Sequence, residues 1–107
     1  MLRKRDEQLA KVLHAFGDAT RRIILEELSQ RDAQSLFEIL ARLVEKHQLS
    51  ITRQAVSKHL KVLEHAGLIS TAWNGRTKMH TSSIGDNKDL LVDWLEEIMP
   101  DDDRRQG

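Results

Sequence analysis

The hydrophobic period of this sequence changes from helical to strand-like at Gly67, and that change constrains the fold more than any other feature. Before Gly67, apolar residues recur every three or four positions, as they do on one face of an α-helix. After it, residues 69–73 and 76–82 have strand character and flank Asn74-Gly75, a dipeptide that suits a type I′ hairpin turn. We therefore predict a series of helices followed by a β-hairpin.

Capping residues divide the helical part into segments. Asp18 or Thr20 can cap the second helix. The hydroxyl of Ser35 and the carboxylate of Glu38 have the spacing of a capping box, so the third helix should begin there and run to about His47. Each cap predicts a helix start to within a residue or two.

A fourth helix is predicted from the cap Thr52 to Ala66, with Gly67 placed for a left-handed C-terminal cap. A leucine-rich helix closes the chain after the hairpin. The predicted class is mainly α with a small β-hairpin, in the order helices 1–4, a two-stranded wing and a C-terminal helix.

The chain has the length of one domain, which we predict over residues 1–100, with a disordered acidic tail at 101–107. There is no cysteine, so disulfides and thiolate metal sites are excluded. A core of this size often gains stability from a partner subunit. No apolar run exceeds three residues, which predicts no membrane contact and a cytoplasmic location.

Charge is distributed unevenly although the formal net charge is zero. Between Ser50 and His80, five Lys and Arg side chains face one acid, Glu64. Between Asp86 and Asp103, eight acids face one lysine. Such a division can confine an anionic partner to one face of the molecule.

The fourth helix carries a polar, mainly basic arc opposite an apolar arc. Near its start, Arg53 and Lys58 can donate to guanine, Gln54 can pair with adenine, and Ser57 can serve either base. A hairpin with Arg76, Lys78 and His80 alternating onto one face follows it. Together they predict a helix-turn-helix with a basic wing, which suits double-stranded DNA.

Three segments resemble the ArsR/SmtB-like family of winged helix-turn-helix repressors: residues 16–22 (FGDATRR), 53–69 (RQAVSKHLKVLEHAGLI) and 74–76 (NGR). The resemblance implies a homodimer that represses by binding an operator with two half-sites. Two features depart from the family pattern. The stretch from Glu38 to Ser57 is longer, and Ala19 stands where proline is common. By position, the residues implied to read bases are Thr52, Arg53, Gln54, Ser57 and Lys58, and those implied to contact the backbone are Lys61, Asn74, Gly75, Arg76 and Lys78.

The terminal helices each carry an apolar stripe that predicts a dimer interface. Trp94 is its expected anchor, because large aromatic side chains dominate interface energetics. The predicted dimer contacts are Leu9, Val12, Phe16, Leu91, Trp94, Leu95 and Ile98.

Three basic residues near these motifs have a structural interpretation. His59 lies within the apolar arc of the fourth helix, so we predict a buried imidazole bonded to backbone rather than a base contact. Arg21 and Arg22 can contact phosphates, but at a helix start near the core they are expected to form intramolecular pairs.

No motif predicts a cofactor, a metal or an enzyme activity. The acidic face of the last helix contains no histidine and is interpreted as a solvated face rather than a cation site. The effector, if there is one, is unknown. The alternative function is a winged helix that contacts protein or RNA, which predicts weak duplex binding that is insensitive to salt.

Overall fold

The elements follow the predicted order of helices, hairpin and closing helix. The structure is a computed structural model and describes residues 3–100; the predicted tail at 101–107 lies outside these. None of the helices between residues 3 and 100 has the length and continuous hydrophobicity of a membrane-spanning segment. The elements are α1 (Lys4–Phe16), α2 (Ala19–Gln30), β1 (Gln34–Ser35), α3 (Leu36–Glu45), α4 (Arg53–His65), β2 (Ile69–Asn74), β3 (Thr77–Ser82), a 3₁₀ turn (Ile84–Asn87) and α5 (Lys88–Ile98).

Side-chain caps begin three of the helices where the sequence predicts them. Asp18 rather than Thr20 caps α2, accepting from the backbone amide three residues later at 3.1 Å. Ser35 and Glu38 form the reciprocal capping box of α3, with both bonds at 3.1 Å. Thr52 caps α4 with a bond of 3.1 Å. Each cap satisfies an amide that the helix itself leaves unpaired.

The connection between α3 and α4 begins two residues earlier than predicted. The helix ends at Glu45 rather than near His47. The amides of His47 and Leu49 bond back to carbonyls in the last turns of α3, at 3.3 and 3.0 Å. Between them Gln48 adopts a left-handed φ of 54°, which turns the chain away from the helix axis.

The predicted hairpin is the larger part of a three-stranded sheet of order β1-β3-β2. β1 pairs antiparallel with β3, and Gln34 lies opposite His80. The buried side-chain amide of Gln34 donates to the carbonyl of Glu27 at 3.2 Å, and its oxygen accepts from Nε of Arg42 at 3.1 Å. Strand β1 thus connects the sheet to α2 and α3, because the buried side chain of Gln34 is hydrogen-bonded to both helices.

The hairpin turn lies one residue later than predicted. Asn74 pairs with Thr77, so the two-residue loop consists of Gly75 and Arg76. Gly75 has a φ of 64°, whereas neither Asn74 nor Arg76 has a positive φ. Positive φ at the first central position alone is the pattern of a type II′ turn, so the predicted type I′ turn at Asn74-Gly75 is wrong.

One apolar core joins α1, α2, α3, α4 and the start of β2. Burying an aliphatic side chain fully stabilises the fold by about 1.5–3 kcal/mol, so this cluster supplies the main driving force. The apolar side chains with no exposed surface are Val12, Ala15, Ile24, Ile39, Leu43, Val56, Leu63 and Leu68.

The terminal helices differ in how much of their apolar stripes they expose. In α1, Leu9 is 7% exposed and Val12 has no exposed surface, so this helix leaves little of its predicted stripe for a partner. In α5, Leu95 and Ile98 are 45% and 59% exposed. Within the described part of the chain, α5 contains no fully buried residue.

Candidate nucleic-acid interface

Helix α4 separates its polar and apolar side chains as the sequence predicts. Val56, Leu60 and Leu63 are buried in the core. Arg53 and Lys58 are exposed on the other side, as are Gln54 and Lys61, while Ser57 is half-buried. The core contacts of one face thus hold the polar face in a fixed orientation towards solvent.

A groove of about 520 Å³ runs between α4, the start of α3 and the hairpin. Arg53 and Lys61 line it from α4, and Arg76 and Lys78 line it from the hairpin. The one acid among the lining residues is Glu64. The groove is therefore predominantly basic, and two separate elements supply its charge.

The wing face that points to this groove is basic near the tip and buried near the base. Lys78 lies 3.7 Å from the carboxylate of Glu64, with both side chains 43% exposed. His80 is buried instead of contributing to the basic face, and its Nδ1 donates to the carbonyl of Gln34 at 3.0 Å. The prediction that His80 extends the exposed basic face is therefore wrong, because β1 covers it.

His59 is half-buried and contacts side chains rather than backbone, which corrects the predicted fully buried imidazole. Its Nδ1 lies 3.3 Å from Arg21 and 3.8 Å from the Asp18 carboxylate. Burial acts to raise the pKa of Asp18, but the Arg21 amide and His59 outweigh it and hold that pKa below its usual value.

The two arginines of α2 bond within the molecule, as predicted, but their partners include backbone carbonyls. Arg21 donates to two carbonyls near the end of α1, at 2.8 and 3.0 Å. Arg22 donates to a third carbonyl there. These bonds fix the angle between α1 and α2. Helix α4 packs against both of these helices.

A buried carboxylate holds the connection between α3 and α4. Oε1 of Glu27, whose side chain is 3% exposed, lies 2.7 Å from Nζ of Lys46 and 2.7 Å from Nε2 of His47. The bond from Lys46 lowers the pKa of Glu27 most and His47 adds to it, so the pKa is below its usual value although burial acts against this. The contact anchors the chain just before α4 begins.

The structure brings part of the predicted site together. Arg53, Ser57 and Lys61 share the groove with Arg76 and Lys78. The remaining predicted site residues are exposed but do not line the groove: Thr52, Gln54, Lys58, Asn74 and Gly75.

Two aromatic groove residues were not predicted from the sequence. Phe37, in the first turn of α3, and Trp73, near the wing tip, are 75% and 70% exposed. Trp73 could have been found from its polar neighbours at the hairpin tip. Phe37 could have been found because it lies outside the apolar stripe of Leu36, Ile39, Leu40 and Leu43. Among residues 3–100, no group of three His, Asp or Glu side chains is arranged to hold a metal ion.

Comparison with known proteins identifies the family. A family model described as a helix-turn-helix domain matches residues 16–72. The uncharacterized HTH-type transcriptional regulator YuzN of Bacillus subtilis (strain 168) is 46% identical over 85 residues, which are 79% of this chain and 92% of YuzN. The structure of an ArsR-like transcriptional regulator from Rhodococcus sp. RHA1 is 32% identical, with a TM-score of 0.72 over 94% of this chain and 84% of that one. This chain is an ArsR-like helix-turn-helix transcriptional regulator.

The ArsR-like fold is also shared with a more distant protein. A winged helix-turn-helix DNA-binding domain from Mycobacterium bovis, described as homodimeric, matches with a TM-score of 0.65 and 21% identity, over 89% of this chain and 83% of that one. At this identity the match concerns the fold. In this ArsR-like regulator α3 and α4 form the helix-turn-helix, and β2 and β3 form the wing.

Proposed function

We propose that this regulator binds an operator of two half-sites as a homodimer and represses transcription there. The observation that carries the proposal is the convergence of two basic elements, α4 and the wing, on one groove. Arg53, Lys61, Arg76 and Lys78 line it together. Phosphates of a DNA duplex suit such a groove because they are closely spaced anions that exchange bound counterions for Lys and Arg.

In this proposal the N-terminal part of α4 enters the major groove and reads bases. Arg53 and Lys58 donate to guanine, Gln54 pairs with adenine, and Ser57 and Thr52 contribute hydroxyls. Their exposure at the start of a helix whose other face is anchored in the core supports this role. Each good bidentate contact discriminates between bases by about 1–3 kcal/mol.

The wing and the middle of α4 contact the backbone instead. Lys61, Arg76 and Lys78 form ionic contacts with phosphates. Asn74 and Gly75 allow the exposed hairpin tip to approach the DNA backbone closely. Such contacts set register and affinity without carrying base information. The two groups of residues therefore predict different mutant phenotypes.

Selection of bound duplexes from a random pool tests the operator proposal. We expect a palindrome with half-sites about 34 Å apart, because a two-fold symmetric dimer presents two copies of α4 to one side of the duplex. Recovery of a single unrepeated site, or of no shared sequence, would contradict it.

The same selection with variants separates base contacts from backbone contacts. Arg53→Ala and Gln54→Ala should each lose preference at one position of the half-site. Arg76→Ala should weaken all duplexes about equally and leave the selected sequence unchanged. If Arg76→Ala altered the selected sequence instead, the division of roles would be wrong.

A dimer interface centred on α5 completes the proposal. Leu95 and Ile98 expose apolar surface, and Leu91 and Trp94 are half-buried beside them. Phe16, half-buried at the end of α1, is the remaining predicted contact. An exposed apolar helix face on a chain of this size suits burial against an identical copy.

Sedimentation equilibrium tests the dimer. The wild-type chain should be dimeric at tens of micromolar, and Trp94→Ala should raise the dimer dissociation constant by about 30-fold, in the range of an interface hot spot. Glu96→Gln, on an exposed part of the same helix, is the matched control and should leave the constant unchanged. A monomeric wild type under these conditions would rule out this interface.

A further inference from the structure

Two aromatic side chains line the basic groove, and the proposed phosphate contacts give them no role. Phe37 stands in the first turn of α3, and Trp73 is on β2. They are among the four aromatic residues of the chain, and they are 75% and 70% exposed. A single exposed apolar residue on a protein surface is ordinary. Here two large aromatic side chains line the same groove as several Lys and Arg side chains.

The strand register determines which way Trp73 faces. Trp73 lies directly opposite Lys78, and Thr71 lies opposite the buried His80, so all of these side chains leave the same face of the sheet. That face packs on the core at its base and borders the groove towards its tip, where Lys78 approaches Glu64. The exposed indole is thereby held over the groove.

We propose that Phe37 and Trp73 form a seat for the sugar–phosphate backbone of one DNA strand, packing against its deoxyriboses while Arg76 and Lys78 hold the flanking phosphates. The inference rests on the proposed function and names two further contact residues for it. A nucleic-acid strand alternates an apolar sugar edge with an anion. The groove offers both components, aromatic faces and cations, among its lining residues.

Deoxyribose fits this seat better than the other parts of a nucleic acid. A base can stack on an aromatic side chain only after it leaves the duplex, which costs the pairing and stacking it had. Ribose carries a 2′-hydroxyl, which loses its water without gaining a partner against an aromatic face. Intact DNA offers its sugars on the outside at no such cost.

Affinity and its salt dependence, measured together, test the seat. The probe is a DNA duplex of random sequence about three helical turns long, titrated at several salt concentrations. Phe37→Ala and Trp73→Ala should each lower affinity about tenfold, since apolar contact area is lost. The slope of log affinity against log salt should not change, because no cation is removed. Trp73→Phe keeps an aromatic face and should restore most of the affinity.

Tryptophan fluorescence reports the contact directly. Duplex should protect the wild-type protein from acrylamide quenching more than it protects Trp73→Phe, and that difference isolates Trp73 from Trp94. Because both groove aromatics are exposed, neither substitution should change the melting temperature, which is the control for folding.

Each other outcome overturns the seat in a recognisable way. Wild-type affinity in both alanine variants, with salt-dependent binding by the wild type, would remove the seat and leave the proposed function standing. Stronger protection of Trp73 by a matched single strand would mean that the groove takes unstacked bases. Absence of salt-dependent duplex binding by the wild type itself would remove the proposed function and the seat with it.

Discussion

Duplex affinity of the wild-type dimer should fall about a thousandfold between ~50 and ~200 mM salt. The proposed phosphate contacts of each protomer are Lys61, Arg76 and Lys78, so a dimer makes about six. Each contact contributes about −0.9 to the slope of log affinity against log salt, because a condensed counterion is released from the DNA. The total slope of about −5 gives this loss over a fourfold change in salt.

Two variants test this prediction from opposite directions, one by removing a positive charge from the groove and one by removing a negative charge. Arg76→Ala removes two contacts per dimer, so the loss between the same salt concentrations should shrink about twelvefold, to roughly 80-fold. Glu64→Gln removes the carboxylate 3.7 Å from Lys78 and frees that ammonium for phosphate, so it should bind duplex more tightly than the wild type at low salt. Both side chains are exposed, so neither change should disturb the core.

A protein- or RNA-contacting winged helix would give a different result. Its duplex binding would be weak at both salt concentrations, and Glu64→Gln would not improve it. Such a flat response would contradict the proposed phosphate contacts and, with them, operator binding. Fluorescence anisotropy of a labelled duplex, titrated with protein at concentrations above the dimer dissociation constant, is a sufficient measurement.

Removal of both partners of Glu27 should destabilise the fold by about 2–4 kcal/mol, since an unpaired charge would then be left in the core. The variant is Lys46→Ala with His47→Ala. Glu27→Gln should cost less, about 1–2 kcal/mol, because the two partners are partly exposed and can turn to water. Urea unfolding at a fixed protein concentration compares the two, and a larger cost for Glu27→Gln would contradict the assignment.

The pH dependence of the same contact has a definite sign. The pKa of Glu27 lies below its usual value of about 4.5, with Lys46 as the main cause. A lowered pKa in the folded state means that the stabilisation is present above the ordinary pKa and is lost as pH falls through the lower one. The wild type should therefore lose its advantage over Glu27→Gln in acid, and an advantage undiminished at about pH 3 would show that the ion pair is not its source.

The helix starts were predictable because each cap is a bond within three residues. Asp18, Ser35 with Glu38, and Thr52 cap their helices as the sequence indicates. The left-handed cap at Gly67, with a φ of 75°, was also predictable from the residues next to it. The polar face of α4 follows from the helical period alone, so the sequence is sufficient to name the side chains proposed to read bases.

The hairpin register depended on contacts outside the hairpin. Placing the turn at Asn74-Gly75 or at Gly75-Arg76 leaves the same side chains on each face, so the alternation of residues does not distinguish the two. The amide of Ser83 bonds to the carbonyl of Leu68 at 2.9 Å and extends the observed register into the core. Pairing of β3 with β1 adds to this choice.

Local sequence was enough to specify the helix-turn-helix, its polar face and the existence of a wing, because caps and periodicity act over a few residues. Tertiary packing selected which residues near the site are buried. His80 is buried at the base of the wing face, where its Nδ1 donates to the carbonyl of Gln34, far away in sequence. Leu9 and Val12 are buried, and Phe37 and Trp73 line the same groove. These placements depend on how helices pack across large sequence separations, which no local pattern encodes.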